Sequence, residues 1–270
     1  MPNDEQPQRT DEARGTQLLN AVERILSDDA DLIALVQRHM DRLPPKPGEA
    51  EGDWRRRVAK ALVSEFSNRS ALSGGAAALP ALVPGIGSVI AVVGGALADM
   101  ALTLKFECEL SLCLSQLYGF DISKPREREL AFLLASVSTF DVKSHGNVLV
   151  DLAQAQGTAV WNYTPRQVSK LLATVLGRLA LLAVSKSFVR AVPLVGIVVG
   201  ASANKVLTSR VGDRCTEQLD ARRNERDAVK DAGPKVQAKV KSKVKAKVSK
   251  PASRPKPSTR RASSGSRGRA

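Results

Sequence analysis

From Ala71 to Ala98 the chain runs for 28 residues without a charge, ALSGGAAALPALVPGIGSVIAVVGGALA, with six glycines and two prolines. That length would let a helix cross a bilayer, which takes about 20 apolar residues. Pro80 and Pro84 stand against one straight helix, because proline lacks the N–H donor and its ring clashes with the preceding turn. The run reads as two short arms around a corner at Val83-Pro84-Gly85. The arm from about Gly87 to Ala98 would rise roughly 18 Å, short of the ~30 Å hydrocarbon core. A helical hairpin fits better than a span, either dipping into a bilayer or packed in a protein core.

The run has an echo farther on. Val83-Pro84-Gly85-Ile86-Gly87 is answered by Val192-Pro193-Leu194-Val195-Gly196, and Gly95-Ala96-Leu97-Ala98-Asp99 by Gly200-Ala201-Ser202-Ala203-Asn204. Leu102-Thr103 and Leu207-Thr208 follow in turn. Either two Ala/Gly/Val-rich segments resemble each other by composition, or the chain holds two proline-cornered hairpins, near 71–98 and 186–204. Small residues on each would let helix backbones approach closely.

The remaining pattern is helical and shows no strand alternation of useful length. Residues 1–9 read as disordered, and 10–43 as a helical pair that stops at Pro44-Pro45. Residues 44–53 read as a linker by their Pro and Gly content. From Trp54 a helix places Val58, Leu62, Val63 and Phe66 on one side and enters the uncharged run. The helix after the Pro-Gly corner regains charge at Lys105, Glu107 and Glu109, which suggests an exit from apolar surroundings into water, and Gly119 is its expected C-cap. Ser123 and Pro125 suit the start of the next helix, and Thr164-Pro165 of a later one. ERELAFLLASVSTF and NVLVDLAQAQ read as two shorter helices between these. The expected fold is an all-α multi-helix bundle over 54–232, with apolar hairpins and a basic tail.

The charge is confined. The net charge of +14 comes almost wholly from Pro234–Ala270, which holds eight Lys, five Arg and no acid; residues 1–233 carry 28 bases against 27 acids. In the 233–270 tail Lys235, Lys239, Lys243 and Lys247 each precede a valine, and Lys241, Lys245, Lys250, Arg254, Arg260 and Arg261 add to them. The valines make only a thin apolar stripe, and the Pro/Ser/Arg segment after them has the composition of disorder. No aromatic follows Phe188, so the tail has nothing on which bases could stack. It suits anionic lipid headgroups, at about 1 kcal/mol per basic residue near the surface, or nucleic-acid phosphates bound non-specifically, or plain solvation.

Known chemistry is thinly represented. No P-loop, GxSxG elbow or HExxH pair occurs, and Gly85-Ile86-Gly87 lacks a leading strand and a correctly placed third glycine. Two histidines, His39 and His145, and three unpaired cysteines, Cys108, Cys113 and Cys215, give a metal site few ligands, and reduced buried thiols are expected. No cofactor or metal is expected. The N-terminus is acidic and lacks the apolar core of a secretory signal. Asp99 stands out because it follows the bare segment on the same helix, with Thr103, Phe106 and Leu110 on its face. It could form a buried polar network with Asn204 and Tyr118, or serve a ligand or a hydrolytic reaction.

The hairpin with Asp99, the helix ending Gln116-Leu117-Tyr118-Gly119-Phe120-Asp121, and Val192-Pro193-Leu194-Val195-Gly196 with Asn204 together resemble the EcsC family of bacterial proteins, over roughly Trp54 to Asp220. The resemblance implies a largely helical, cytoplasmic or membrane-associated protein without a settled biochemical activity. The Lys/Arg tail lies outside that pattern. The expectation is a non-enzymatic protein docked peripherally on the cytoplasmic leaflet of the inner membrane. Its corners at Pro84, Gly85, Pro193 and Gly196 would dock it, and the tail would assist on anionic lipid. The alternative is a soluble helical domain with a nucleic-acid-binding tail.

Overall fold

A computed structural model describes residues 5–73, 95–144, 159–186 and 196–231. The corners Pro84, Gly85 and Pro193, the tail bases from Lys235 to Arg261, His145, and the short helix expected at NVLVDLAQAQ lie outside the described residues. So does the side chain of Asp99.

The described chain is all helix. In order come α1 (Glu5–Glu23), α2 (Asp29–Arg42), α3 (Glu51–Ser73), α4 (Gly95–Leu117), α5 (Pro125–Ser144), a 3₁₀ turn (Val160–Asn162), α6 (Pro165–Lys186) and α7 (Gly196–Asp231). The expected starts at Pro125 and Pro165 are where α5 and α6 begin. The C-cap is also as read: Gly119 adopts φ 78°, and the Phe120 N–H donates to the Ser115 carbonyl at 2.9 Å. That geometry satisfies carbonyls left open by the last turn of α4 and suits a residue without a Cβ.

α4 is the axis of the bundle. Leu104, Leu110, Leu112, Cys113 and Leu114 are all fully buried on it, and no side of the helix from Met100 to Ser115 reaches water. This overturns the expectation that Lys105, Glu107 and Glu109 mark an exit into solvent: all three are buried. Helices pack around every face of α4, so its charges are neutralised inside the protein. α3 lays Val58, Leu62, Val63 and Phe66 against it, as the periodicity predicts. At mid-height Gly212 of α7 lets Val63 and Leu110 close in, since a Cβ there would stand 2.6 Å from Val63 Cγ2. α1 lies on α6, where a Cβ on Gly15 would stand 2.0 Å from the Ala173 carbonyl oxygen.

Pairings along the helices fix their directions. Arg55 near the start of α3 donates to the Leu117 carbonyl at the end of α4. Arg226 near the end of α7 donates to the Gly119 carbonyl at 3.0 Å. Arg126 near the start of α5 donates to the Trp161 carbonyl, just before α6, at 3.1 Å. Hence α3, α5 and α6 run one way and α4 and α7 the other. Ser73, Gly95, Lys186 and Gly196, the helix ends that adjoin the two apolar runs, therefore all lie at one end of the bundle, together with Ser144. We call this end the upper pole and the α4–α5 turn the lower pole.

The poles differ in chemistry. At the lower one Arg56 pairs with Asp220 at 2.7 Å, Arg222 with Glu127 at 2.7 Å and Arg223 with Glu51 at 2.9 Å. Arg222 and Arg226 stack on Phe120 at 3.9 and 4.9 Å. Of the four large hydrophobic side chains exposed among the described residues, three lie in the upper half: Leu72, Leu181 and Val206.

Candidate functional site

On α4 the residues Thr103, Glu107 and Ser111 recur every four positions, which puts them on one face. That face meets α5 and α7 and is polar throughout its buried length. The Ser111 hydroxyl donates to the Ala131 carbonyl at 2.8 Å. Ser138 of α5 and Cys215 of α7 approach to 3.8 Å across the same seam. Asp99 holds the next place up this register. Lys105 and Glu109, two residues to either side of Glu107, face the other way: Lys105 Nζ lies 2.7 Å from Glu109 Oε1, which also accepts the Ser27 N–H at 2.7 Å.

Glu107 is the singular group of the seam. It is fully buried, Oε2 meets the Thr139 hydroxyl, and Oε1 has no hydrogen-bond partner. Burial pushes its pKa up to about 7, against the smaller opposing effects of Thr139 and Lys143. Thr139 also lies 2.8 Å from the Ala135 carbonyl oxygen. A hydroxyl has one proton, so Thr139 divides its donation between Glu107 Oε2 and the Ala135 carbonyl, and the carboxylate is only weakly stabilised. The seam thus holds one proton near neutral pH. Its cysteine is not a thiolate. Burial pushes the Cys215 thiol up to about 11 and also raises Cys108 and Cys113, so all three stay protonated. All three are free, as expected.

Two residues beyond Thr139 the polar surface reaches solvent. Asp141, itself only 2% exposed, pairs with Arg214 at 3.1 Å. These two, with Val142, Arg210 and Asp213, line a cleft of about 280 Å³ between the last turn of α5 and the middle of α7. Because the last turn of α5 belongs to the upper half of the bundle, the cleft lies on the flank of that half, its shoulder.

The sequence candidates do not converge. Tyr118 follows the last residue of α4 at the lower pole, and Asn204, half-buried, lies in the upper part of α7. Tyr118 belongs instead beside Asp220, 16 positions from Asn204 and roughly 24 Å farther down the axis. No single network can join them. The Tyr118 hydroxyl is buried without a hydrogen-bond partner, and burial, then the nearby Asp220 carboxylate, pushes its pKa up to about 12. Thr208, the counterpart of Thr103, is fully buried with its hydroxyl unpartnered. His39 is buried at 7% exposure, with Nε2 2.6 Å from Glu65 Oε2. Among the described residues no three metal-ligating side chains come together. The signal for Glu107 was present in the four-residue spacing of Asp99, Thr103, Glu107 and Ser111, but the charges around it read as solvent contact.

The model of the EcsC protein family matches residues 50–223. The chain belongs to the EcsC family. The match takes in α3, α4, α5, α6 and most of α7, and with them the buried seam and the cleft. In this EcsC protein α1, α2 and the basic tail fall outside the matched span. No curated protein and no solved structure matches the chain.

Proposed function

We propose that this EcsC protein is a non-enzymatic, peripheral membrane protein that docks its upper pole on the cytoplasmic leaflet of the inner membrane. The observation that carries this reading is the polarity of the bundle. The described helix ends next to both apolar runs gather at one pole, with Leu72, 63% exposed, and Val206, 50% exposed, on its flanks. The opposite pole is closed by arginine–carboxylate pairs. Exposed apolar side chains grouped at one end of a bundle mark an interaction surface more than scattered ones do. Lys205, exposed beside Val206, suits a headgroup level, where a long stem lies on apolar surface and its ammonium reaches water.

No helix among the described residues is long and apolar enough to cross a membrane, so docking is proposed as partial insertion. The tail would add electrostatic attraction to anionic lipid. α7, which precedes the tail, ends at Asp231 at the lower pole. Washing membranes at low and high salt tests the reading. Apolar docking keeps the full chain on membranes at high salt, because only the electrostatic part is screened. Complete release would favour attachment through the tail alone. A chain that ignores vesicles and binds DNA through residues 234–270 would favour the nucleic-acid alternative.

A further inference from the structure

The cleft on the shoulder of the bundle has a charge pattern that selects among ligands. Its lining holds two arginines and two aspartates. Arg214 and Asp141 satisfy each other at 3.1 Å, with Asp141 almost wholly buried. Arg210 and Asp213 are exposed on α7, three positions apart and so on neighbouring sites of one helix face. Neither side chain has a hydrogen bond or ion pair among the described residues. The cleft thus offers one guanidinium and one carboxylate from neighbouring sites of one helix face, beside a neutralised pair.

A lone phosphate would gain Arg210 but meet the Asp213 carboxylate. A metal cation would gain Asp213 but meet two guanidinium groups. A zwitterion with the two charges on a short spacer satisfies both sides. Arg210 favours phosphate oxygens, which its planar fork binds in a paired fashion. Asp213 can only accept hydrogen bonds when ionised, so it favours an ammonium that has N–H donors. A trimethylammonium has none and is held elsewhere by aromatic rings. Among the described residues the cleft has none, and Val142 is its one apolar lining side chain there.

We propose that the cleft formed by Asp141, Val142, Arg210, Asp213 and Arg214 binds a phosphate ester bearing a primary ammonium, the chemistry of a phosphoethanolamine group. As a lipid headgroup this ligand would reach the shoulder while the upper pole docks, and in that respect the inference rests on the membrane reading. A soluble phosphoethanolamine ester carries the same chemistry, and the two sources are told apart below.

The test uses the full chain, the Arg210→Gln and Asp213→Asn variants, and two kinds of probe. In solution, titration with glycerophosphoethanolamine should give saturable binding, with glycerophosphocholine and inorganic phosphate each weaker by roughly fivefold or more. Each variant should weaken glycerophosphoethanolamine by about threefold to tenfold. Both altered side chains are solvent-exposed, and unchanged thermal unfolding will verify that the variants fold. Flotation with phosphatidylcholine vesicles, with and without phosphatidylethanolamine, then identifies the source. A gain from phosphatidylethanolamine that both variants lose supports the lipid headgroup. Solution binding without any flotation supports the cleft, makes the ligand a soluble ester and sinks the membrane reading. Flotation indifferent to headgroup, with no saturable solution binding, overturns the cleft and leaves the membrane reading standing. Equal binding of the choline or inorganic probe, or unaltered binding by both variants, also overturns it.

Discussion

Lys105 Nζ and Glu109 Oε1 stand 2.7 Å apart on the central helix, and neither side chain is more than a tenth exposed. The pair is one turn of α4 in length and is shut in by α2 and its neighbours. The Lys105 ammonium also lies 4.9 Å from the centre of the Phe106 ring. Both charges have lost water, so their stability depends on each other and on the Ser27 N–H.

Breaking that pair should cost more than removing it. Lys105→Met leaves Glu109 buried without its cation and should destabilise the fold by about 3–5 kcal/mol. The double change to Met at 105 and Gln at 109 should recover much of that loss, because no charge is then stranded. Urea unfolding of the single and double variants measures the coupling. Equal losses in both would mean that the salt bridge is not what holds these side chains in the core.

Glu107 gives the protein a pH dependence of definite sign. Its carboxyl titrates near 4.5 when unfolded and at about 7 when folded. Between those values the folded state binds the extra proton, so stability falls as pH rises through the window and levels off above it. The full loss is about 3 kcal/mol. Glu107→Gln should flatten the profile and leave the variant more stable than the parent at pH 8. Denaturant unfolding from pH 5 to pH 8 checks this, and parallel profiles for the two proteins would refute the assignment.

The glycine at the α1–α6 crossing has no room for change. Gly15→Ala places a Cβ against the backbone of Ala173 and Gly177, at 2.0 and 2.9 Å, where no rotamer can relieve it. The helices must separate, at a cost of about 1–3 kcal/mol. Gly52→Ala meets nothing within 4 Å and should be neutral or slightly stabilising in its helix. Thermal unfolding of both variants tests the contrast.

Tyr118 should tolerate loss of its hydroxyl. That oxygen is buried and unpartnered, so Tyr118→Phe removes a desolvated group without breaking a hydrogen bond. We expect a change between zero and about 1 kcal/mol in the stabilising direction. A clear destabilisation would show that the hydroxyl supports the fold through Asp220.

Much of this architecture could be read from local chemistry. The positive-φ turn at Gly119, the helix starts at Pro125 and Pro165, and the apolar face of α3 each follow from one residue's backbone or side-chain limits. Longer-range facts were hidden for a common reason. Whether Glu107 meets water depends on α5 and α7, distant in the chain, and a charge in a helix reads as exposed until its neighbours are known. Tyr118 and Asn204 looked like partners because both flank apolar segments, yet α4 and α7 run parallel, so the end of one and the start of the other lie at different heights. The cleft could not be foreseen at all, since Asp141 and Arg214 are separated by 73 positions.

The central claim is that the upper pole, and not the lower, meets lipid. The three native thiols are buried, so a single introduced cysteine can be labelled selectively with a polarity-sensitive fluorophore. Label at Leu72→Cys should shift to shorter wavelength when vesicles containing anionic lipid are added, and should keep that shift at high salt. Label at Lys124→Cys, exposed on the α4–α5 turn, should stay unchanged. No shift at position 72, or an equal shift at both, would contradict the account.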